Sequence, residues 1–183
     1  MTAIIVIIAI VVVLALIFVS FYNRIISFEN RIANAFAQID VQLKQRNDLI
    51  PNLVNTVKGY AAHESGIFEA VSEARARMAG AGSMEDKIAA SNNMSGALGR
   101  LFAVAENYPD LKANQNFLDL QQNLQGLEQK IAYSRQFFND TVLEFNTAIT
   151  TIPGNFFAGP MGKTVKPMFQ ASEAERVVPQ VQF

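Results

Sequence analysis

No cysteine occurs in the 183 residues. Its absence excludes disulfides, thiolate metal sites, thiol nucleophiles and the lipid-modified cysteine of a lipoprotein, and it fits a reducing compartment. Histidine is scarce too, since His63 stands alone. A serine nucleophile would have to recruit that one imidazole, and no nucleophile-elbow motif accompanies any serine. An excess of one charge sign is also missing. Fifteen Lys and Arg face sixteen Asp and Glu, a formal net charge of -1, which argues against a nucleic-acid partner, whose phosphates demand a basic face. No segment alternates apolar and polar residues with β-branched enrichment, so no strands are predicted, and no glycine-rich phosphate loop follows one. Internal repeats of 20 to 50 residues are absent as well.

Charge is absent from the first 23 residues, and this is the most informative gap. From Ala3 to Phe21 the chain is almost wholly aliphatic, interrupted only by Ser20. At about 1.5 Å per residue such a helix crosses a hydrocarbon core of about 30 Å with little tilt. A cleaved signal peptide would show a basic leading region and a small-x-small cleavage site, and neither is convincing here. Only the α-amine and Thr2 precede the run, whereas Arg24, Arg31, Lys44 and Arg46 follow it. The bias of positive charge toward the cytoplasm therefore predicts a single-pass protein of the inner or plasma membrane, with its N-terminus outside and its helical domain in the cytoplasm. The expected division is a transmembrane anchor over 1–23, a helical domain over 24–153 and an apolar, proline-containing tail over 154–183.

Between Phe28 and Met78 apolar residues recur at steps of four and three, through Ile32, Phe36, Ile39, Leu43, Ile50, Leu53, Val57, Tyr60, Ile67, Val71 and Ala74. That is the seam of an amphipathic helix. Pro51 removes one amide donor and Gly59 and Gly66 weaken the helix, so a kink or a reversal is expected there; the unbroken phase favours a kinked rod. Residues 78–82 read as a turn. Ser83 with Asp86 three residues on reads as a capping signal for a helix through Ile88, Leu98 and Phe102 that ends at 107–109. A last long helix is predicted from about Ala113 to Thr150, stopped by Pro153-Gly154. Beyond it the tail keeps Phe156, Phe157, Met161, Met168, Phe169 and Phe183 among its prolines. It is too apolar for a disordered segment, so it is expected to dock.

A di-iron helical site would need Glu-x-x-His pairs on facing helices, but position 60, three before His63, is Tyr60, and there is no second histidine. No metal, cofactor or catalytic residue is predicted. Charges at or near the seams are more informative, namely Arg46, Asp48, His63 with Glu64, Arg75, Glu106, Glu128 and Arg135. At core positions such groups are costly unless paired. Glu128 and Arg135 share a face seven residues apart and offer both signs to Arg46 and Glu64. Such a network would fix helix register, and the alternative is a set of solvated rim charges.

The run from Gln38 to Val54 (QIDVQLKQRNDLIPNLV), continued by Val57-Lys58-Gly59-Tyr60-Ala61-Ala62-His63-Glu64, closely resembles the hallmark of the bacterial LemA family. Similar pieces follow at Glu106–Ala113 (ENYPDLKA), at Glu128–Arg135 (EQKIAYSR), and at Asn139, Asn146 and Pro153, so the resemblance covers nearly the whole chain. Phe36 stands where many relatives carry Trp, and Phe138 where Tyr precedes the Asn; each keeps an aromatic body and loses a polar handle. The resemblance implies an all-α, membrane-anchored antiparallel bundle of four long helices, and so favours a reversal near Gly59. It implies no activity.

A membrane-tethered, non-enzymatic scaffold that self-associates is therefore expected, with membrane lipid, further copies and other membrane proteins as partners. Phe156, Phe157, Phe169 and Phe183 are its candidate interface, unless they fold back on their own chain. The alternative is a metal-binding or enzymatic bundle around His63, Glu64, Glu106 and Glu128.

Overall fold

The computed structural model describes residues 1–170, and every element in it is a helix. In chain order these are α1 (Thr2–Lys58), α2 (Ser65–Gly80), α3 (Met84–Ala105), α4 (Pro109–Lys112), α5 (Gln115–Thr150) and α6 (Gly154–Ala158). The described residues divide into two compact units, one formed by 1–37 with 136–168 and the other by 38–135 with 169–170.

The first unit begins with the apolar run. Ile4, Ile8 and Val12 are 62, 57 and 51% exposed, and so are their neighbours on every side of α1. A helix this long and apolar all round, with its apolar side chains left exposed, is long and apolar enough to cross a membrane. Farther along, Ile25, Phe28, Ile32 and Ala35 of α1 and Phe138, Val142, Phe145 and Ile149 of α5 are buried, each series spaced three or four apart, as is Ala158 of α6. Phe36 meets Phe138 with ring centroids 5.9 Å apart, and Arg31 pairs with Glu144 at 2.8 Å. Ascending numbers on α1 thus meet descending numbers on α5, so the two helices run antiparallel.

In the second unit the core is built from Ile50, Leu53 and Val57 of α1, Val71 and Ala74 of α2, Met94, Leu98 and Leu101 of α3, Leu111 of α4, and Phe117 and Leu124 of α5. Pro51 lies inside α1 without ending it. Burying Ile50, Leu53 and Val57 to 1% exposure or less contributes about 1.5 to 3 kcal/mol each, which outweighs the roughly 3 kcal/mol that an interior proline costs. The helix stops instead at Lys58, before Gly59, and residues 59–64 form an irregular turn. The kinked rod is therefore corrected to two helices. Within the turn Ala61 is buried while Tyr60, the expected seam residue, is 41% exposed, because once the helical phase is lost the next side chain inward is a different one.

The break between α2 and α3 falls later than expected, at 81–83, since α2 continues to Gly80. Ser83 and Asp86 form the capping box: the serine hydroxyl accepts from the Asp86 amide at 3.0 Å and the carboxylate accepts from the Ser83 amide at 3.4 Å. α2 and α3 pack on each other.

Candidate functional site

Arg46 is the largest fully buried side chain, at 1% exposure. A guanidinium there needs its donors satisfied. Nη1 donates to Glu128 Oε1 at 2.8 Å and to Ser95 Oγ at 3.1 Å, and Nη2 donates to Ser91 Oγ at 3.2 Å and to the Ser91 carbonyl at 3.3 Å. Arg135, one heptad beyond Glu128, donates to the same Ser91 hydroxyl. Two guanidiniums thus converge on the Ser91 hydroxyl, one of them also reaching Ser95 one turn on and the Glu128 carboxylate. The cluster joins α1, α3 and α5 at one level and holds no nucleophile with a base beside it.

Glu64 stands apart from this cluster. Its Oε1 accepts from the Tyr108 hydroxyl at 3.2 Å, and Tyr60 Oη accepts from Asn114 Nδ2 at 2.9 Å. These two contacts hook the 59–64 turn to the segment around α4. Partial burial, reinforced by the hydrogen bond and the charge of Glu64, raises the Tyr108 pKa above the ordinary value. Glu64, expected to join Arg46, Glu128 and Arg135 in one network, meets Tyr108 instead, because the turn carries it off the face on which Arg46 lies. Glu106 pairs locally with Lys112 at 2.5 Å, with both side chains well exposed. Asp48, His63 and Arg75 are exposed and make no ion pair among the described residues. The eight singled-out residues therefore separate into Arg46, Glu128 and Arg135 together, Glu64 and Glu106 each with another partner, and three at the surface.

Ser91, Ser95 and Tyr108 were not singled out from the sequence, nor was the half-buried Lys87, which pairs with Asp40 at 2.6 Å. Ser91 and Ser95, four apart on an otherwise small and apolar helix face, carry the one available signal. Among the described residues no group of three His, Asp or Glu side chains is placed to hold a metal ion.

The tail residues have particular seats. Phe157 lies against Phe18 edge-on at 5.6 Å and against Phe21 stacked at 5.3 Å. Lys163 pairs with Glu29 at 2.7 Å. Asn146 brackets Lys166, donating to its carbonyl at 3.0 Å and accepting from its amide at 2.8 Å. Phe169 is buried, with the Arg135 guanidinium 5.1 Å above its ring. Phe156 remains 67% exposed, and Phe183 lies outside the described residues.

The chain resembles known proteins over most of its length. It is 24% identical over 163 residues to the magnetosome protein MamQ of Magnetospirillum gryphiswaldense, covering 75% of this chain and 60% of that protein. Against MamQ 2 of Paramagnetospirillum magneticum it is 25% identical over 179 residues, covering 84% and 66%. Protein LemA of Metamycoplasma hominis is 25% identical over 156 residues, covering 85% and 71%. The chain thus spans less than two thirds of the length of the two magnetosome relatives. The LemA family profile matches residues 35–183, which include the Arg46 cluster and the Tyr60–Glu64 turn, and the chain belongs to the LemA family.

Proposed function

We propose that this chain is a membrane-tethered helical scaffold, non-enzymatic, with its helical part on the cytoplasmic side and with further copies of itself as partners. The observation that carries the proposal is the span: α1 is exposed on every side from Ala3 to Ser20, touched near its end by Phe157, and its first charge is Arg24. A cation at that end favours the cytoplasmic orientation. Support for a non-enzymatic role comes from the Arg46 cluster, whose guanidinium is spent on groups of two other helices, and the exposed His63 lends none to a metal carrier. Phe157 and Phe169 are taken up by their own chain while Phe156 stays exposed, and the flank of the span offers a further surface for self-association. From Ala3 to Val19 it is uninterrupted by a polar residue and has no pair of glycines to specify a tight dimer, so it suits loose lateral packing of many copies. Other membrane proteins can use the same flank, and a net charge of -1 offers nucleic acid nothing.

Because the chain has no cysteine, Asn93→Cys at an exposed position is a sole reporter of topology. In intact cells it should resist a membrane-impermeant thiol reagent, and ready labelling overturns the cytoplasmic assignment. In mild detergent the full chain should elute as a large homo-oligomer. A monomer at micromolar concentration overturns self-association and leaves the anchor standing.

A further inference from the structure

At the foot of the apolar run the first unit holds an open crevice of about 640 Å³, walled by Phe21, Arg24, Phe28 and Arg31 of α1 and by Glu144 and Gly154 opposite. Two guanidiniums converge on one ring there, with Arg24 5.5 Å and Arg31 5.6 Å from the Phe28 centroid. They are not equivalent. Arg31 is neutralised by Glu144 at 2.8 Å, whereas Arg24 has no carboxylate partner among the described residues. The crevice therefore carries one uncompensated positive charge.

Its depth is set by the span. Arg24 comes three residues after Phe21, about 4.5 Å farther along the axis, which places it in the headgroup layer when the apolar run fills the hydrocarbon core. Tyr22, 44% exposed, sits at the same level, as interfacial aromatics do. On the far wall Ile152 is 77% exposed, and Phe156, four residues on and outside the lining itself, is 67% exposed. Phe157, next in the chain, packs on Phe18 and Phe21, so this apolar pair lies beside the last turns of the span, where acyl chains begin.

We propose that the crevice is a binding site for an anionic phospholipid of the leaflet in which the span ends. Arg24 faces the headgroup phosphate, and Ile152 and Phe156 sit against the upper acyl chains. The ring of Phe28 holds Arg24 ready, and the Arg31–Glu144 pair leaves that cation as the one without a counterion. The site rests on α1 being a membrane anchor.

The test uses the full chain in nanodiscs containing equal amounts of phosphatidylcholine and phosphatidylglycerol, followed by native mass spectrometry of the lipids retained on release. The wild type should keep phosphatidylglycerol over phosphatidylcholine by about fivefold, the weight of one interfacial cation near an anionic headgroup. Arg24→Gln should bring the ratio near parity, and Arg100→Gln, an equal charge change at an exposed site in the second unit, should leave it unchanged. Equal retention of both lipids by the wild type, or an equal loss in both variants, overturns the site. Inorganic phosphate that binds the detergent-solubilised chain through Arg24 and strips the lipid overturns the lipid as the source of the anion. A chain that fails to enter nanodiscs at all overturns the anchor instead, so the two failures are distinguishable.

Discussion

Removing the more exposed member of the Arg46–Glu128 pair should cost more than removing the buried one. Glu128 keeps 39% of its side chain in solvent while Arg46 keeps 1%. Glu128→Ala leaves a buried guanidinium with only neutral acceptors on Ser91 and Ser95. Orphaning a fully buried charge costs about 3 to 5 kcal/mol. Here water reaches the site from the Glu128 side, which discounts the cost to about 2 to 3 kcal/mol. Arg46→Met takes the charge away with nearly the same volume, and Glu128 then turns to solvent. That variant loses hydrogen bonds but leaves no buried ion, so about 1 kcal/mol is expected. Adding Arg46→Met to Glu128→Ala should restore stability relative to Glu128→Ala alone, giving a coupling of about 1 to 2 kcal/mol. Helical circular dichroism of the full chain in mild detergent, followed through thermal and urea unfolding, reads all three. A loss of 2 to 3 kcal/mol corresponds to roughly 5 to 10 °C in a domain of this size. The reasoning fails if Glu128→Ala lies within about 0.5 kcal/mol of wild type, or if Arg46→Met is the worse single variant.

Three further outcomes follow from described contacts. A Cβ on Gly154 would lie 1.8 Å from the Ala148 carbonyl oxygen, whereas one on Gly159 meets nothing within 4 Å, so Gly154→Ala should lower the unfolding midpoint by the equivalent of about 2 to 4 kcal/mol and Gly159→Ala should barely move it. Asn146→Ala removes both bonds to Lys166; with about 1 to 2 kcal/mol of local stability lost, amide exchange and proteolysis around 159–168 should accelerate while the second unit keeps its protection. Tyr108 has a raised folded pKa, so its contribution is fully present below the unfolded tyrosine pKa of about 10 and is lost as pH rises through the folded value. Tyr108→Phe should flatten that part of the stability profile, and an unchanged alkaline limb in a pH titration of the midpoint would refute the Glu64 contact.

The helices and the span were legible because each leaves a periodic or compositional trace. Ile25, Phe28, Ile32 and Ala35 repeat at helical spacing, and Ser83 with Asp86 carries a local hydrogen-bond code. The turn after Lys58 was half legible. Gly59 marked a weakness, but the apolar residues on both sides kept one phase by chance, and only burial separates Ala61 from Tyr60. Of the polar cluster, Arg46 and Glu128 stood out as charges on apolar faces. Glu64 stood out for the same reason, yet its partner lies 44 residues away across an irregular turn, a distance that no helical periodicity encodes. Ser91 and Ser95 escaped because a serine costs a helix little, so its position alone does not reveal a buried arginine against it. The crevice beneath the span was invisible, since it depends on residues far apart in the chain meeting at one level.

The division of the first unit between the opening and closing stretches of the chain has a consequence for biogenesis. Its partners lie far apart in sequence, 113 residues for Arg31 and Glu144 and 134 for Glu29 and Lys163. During synthesis at about 5 to 20 residues per second, α1 emerges first and its apolar face from Ile25 to Ala35 waits on the order of 5 to 20 s for Phe138, Val142 and Phe145 to be made. The second unit, whose residues 38–135 come between, has every helix it needs before then. Folding should therefore run from the middle of the chain outward, with a high contact order for the last closure. Through that interval the nascent protein holds a membrane segment and a folded centre joined by an unfinished helix pair, the window in which a holding chaperone or a neighbouring nascent copy has access to the uncovered stripe.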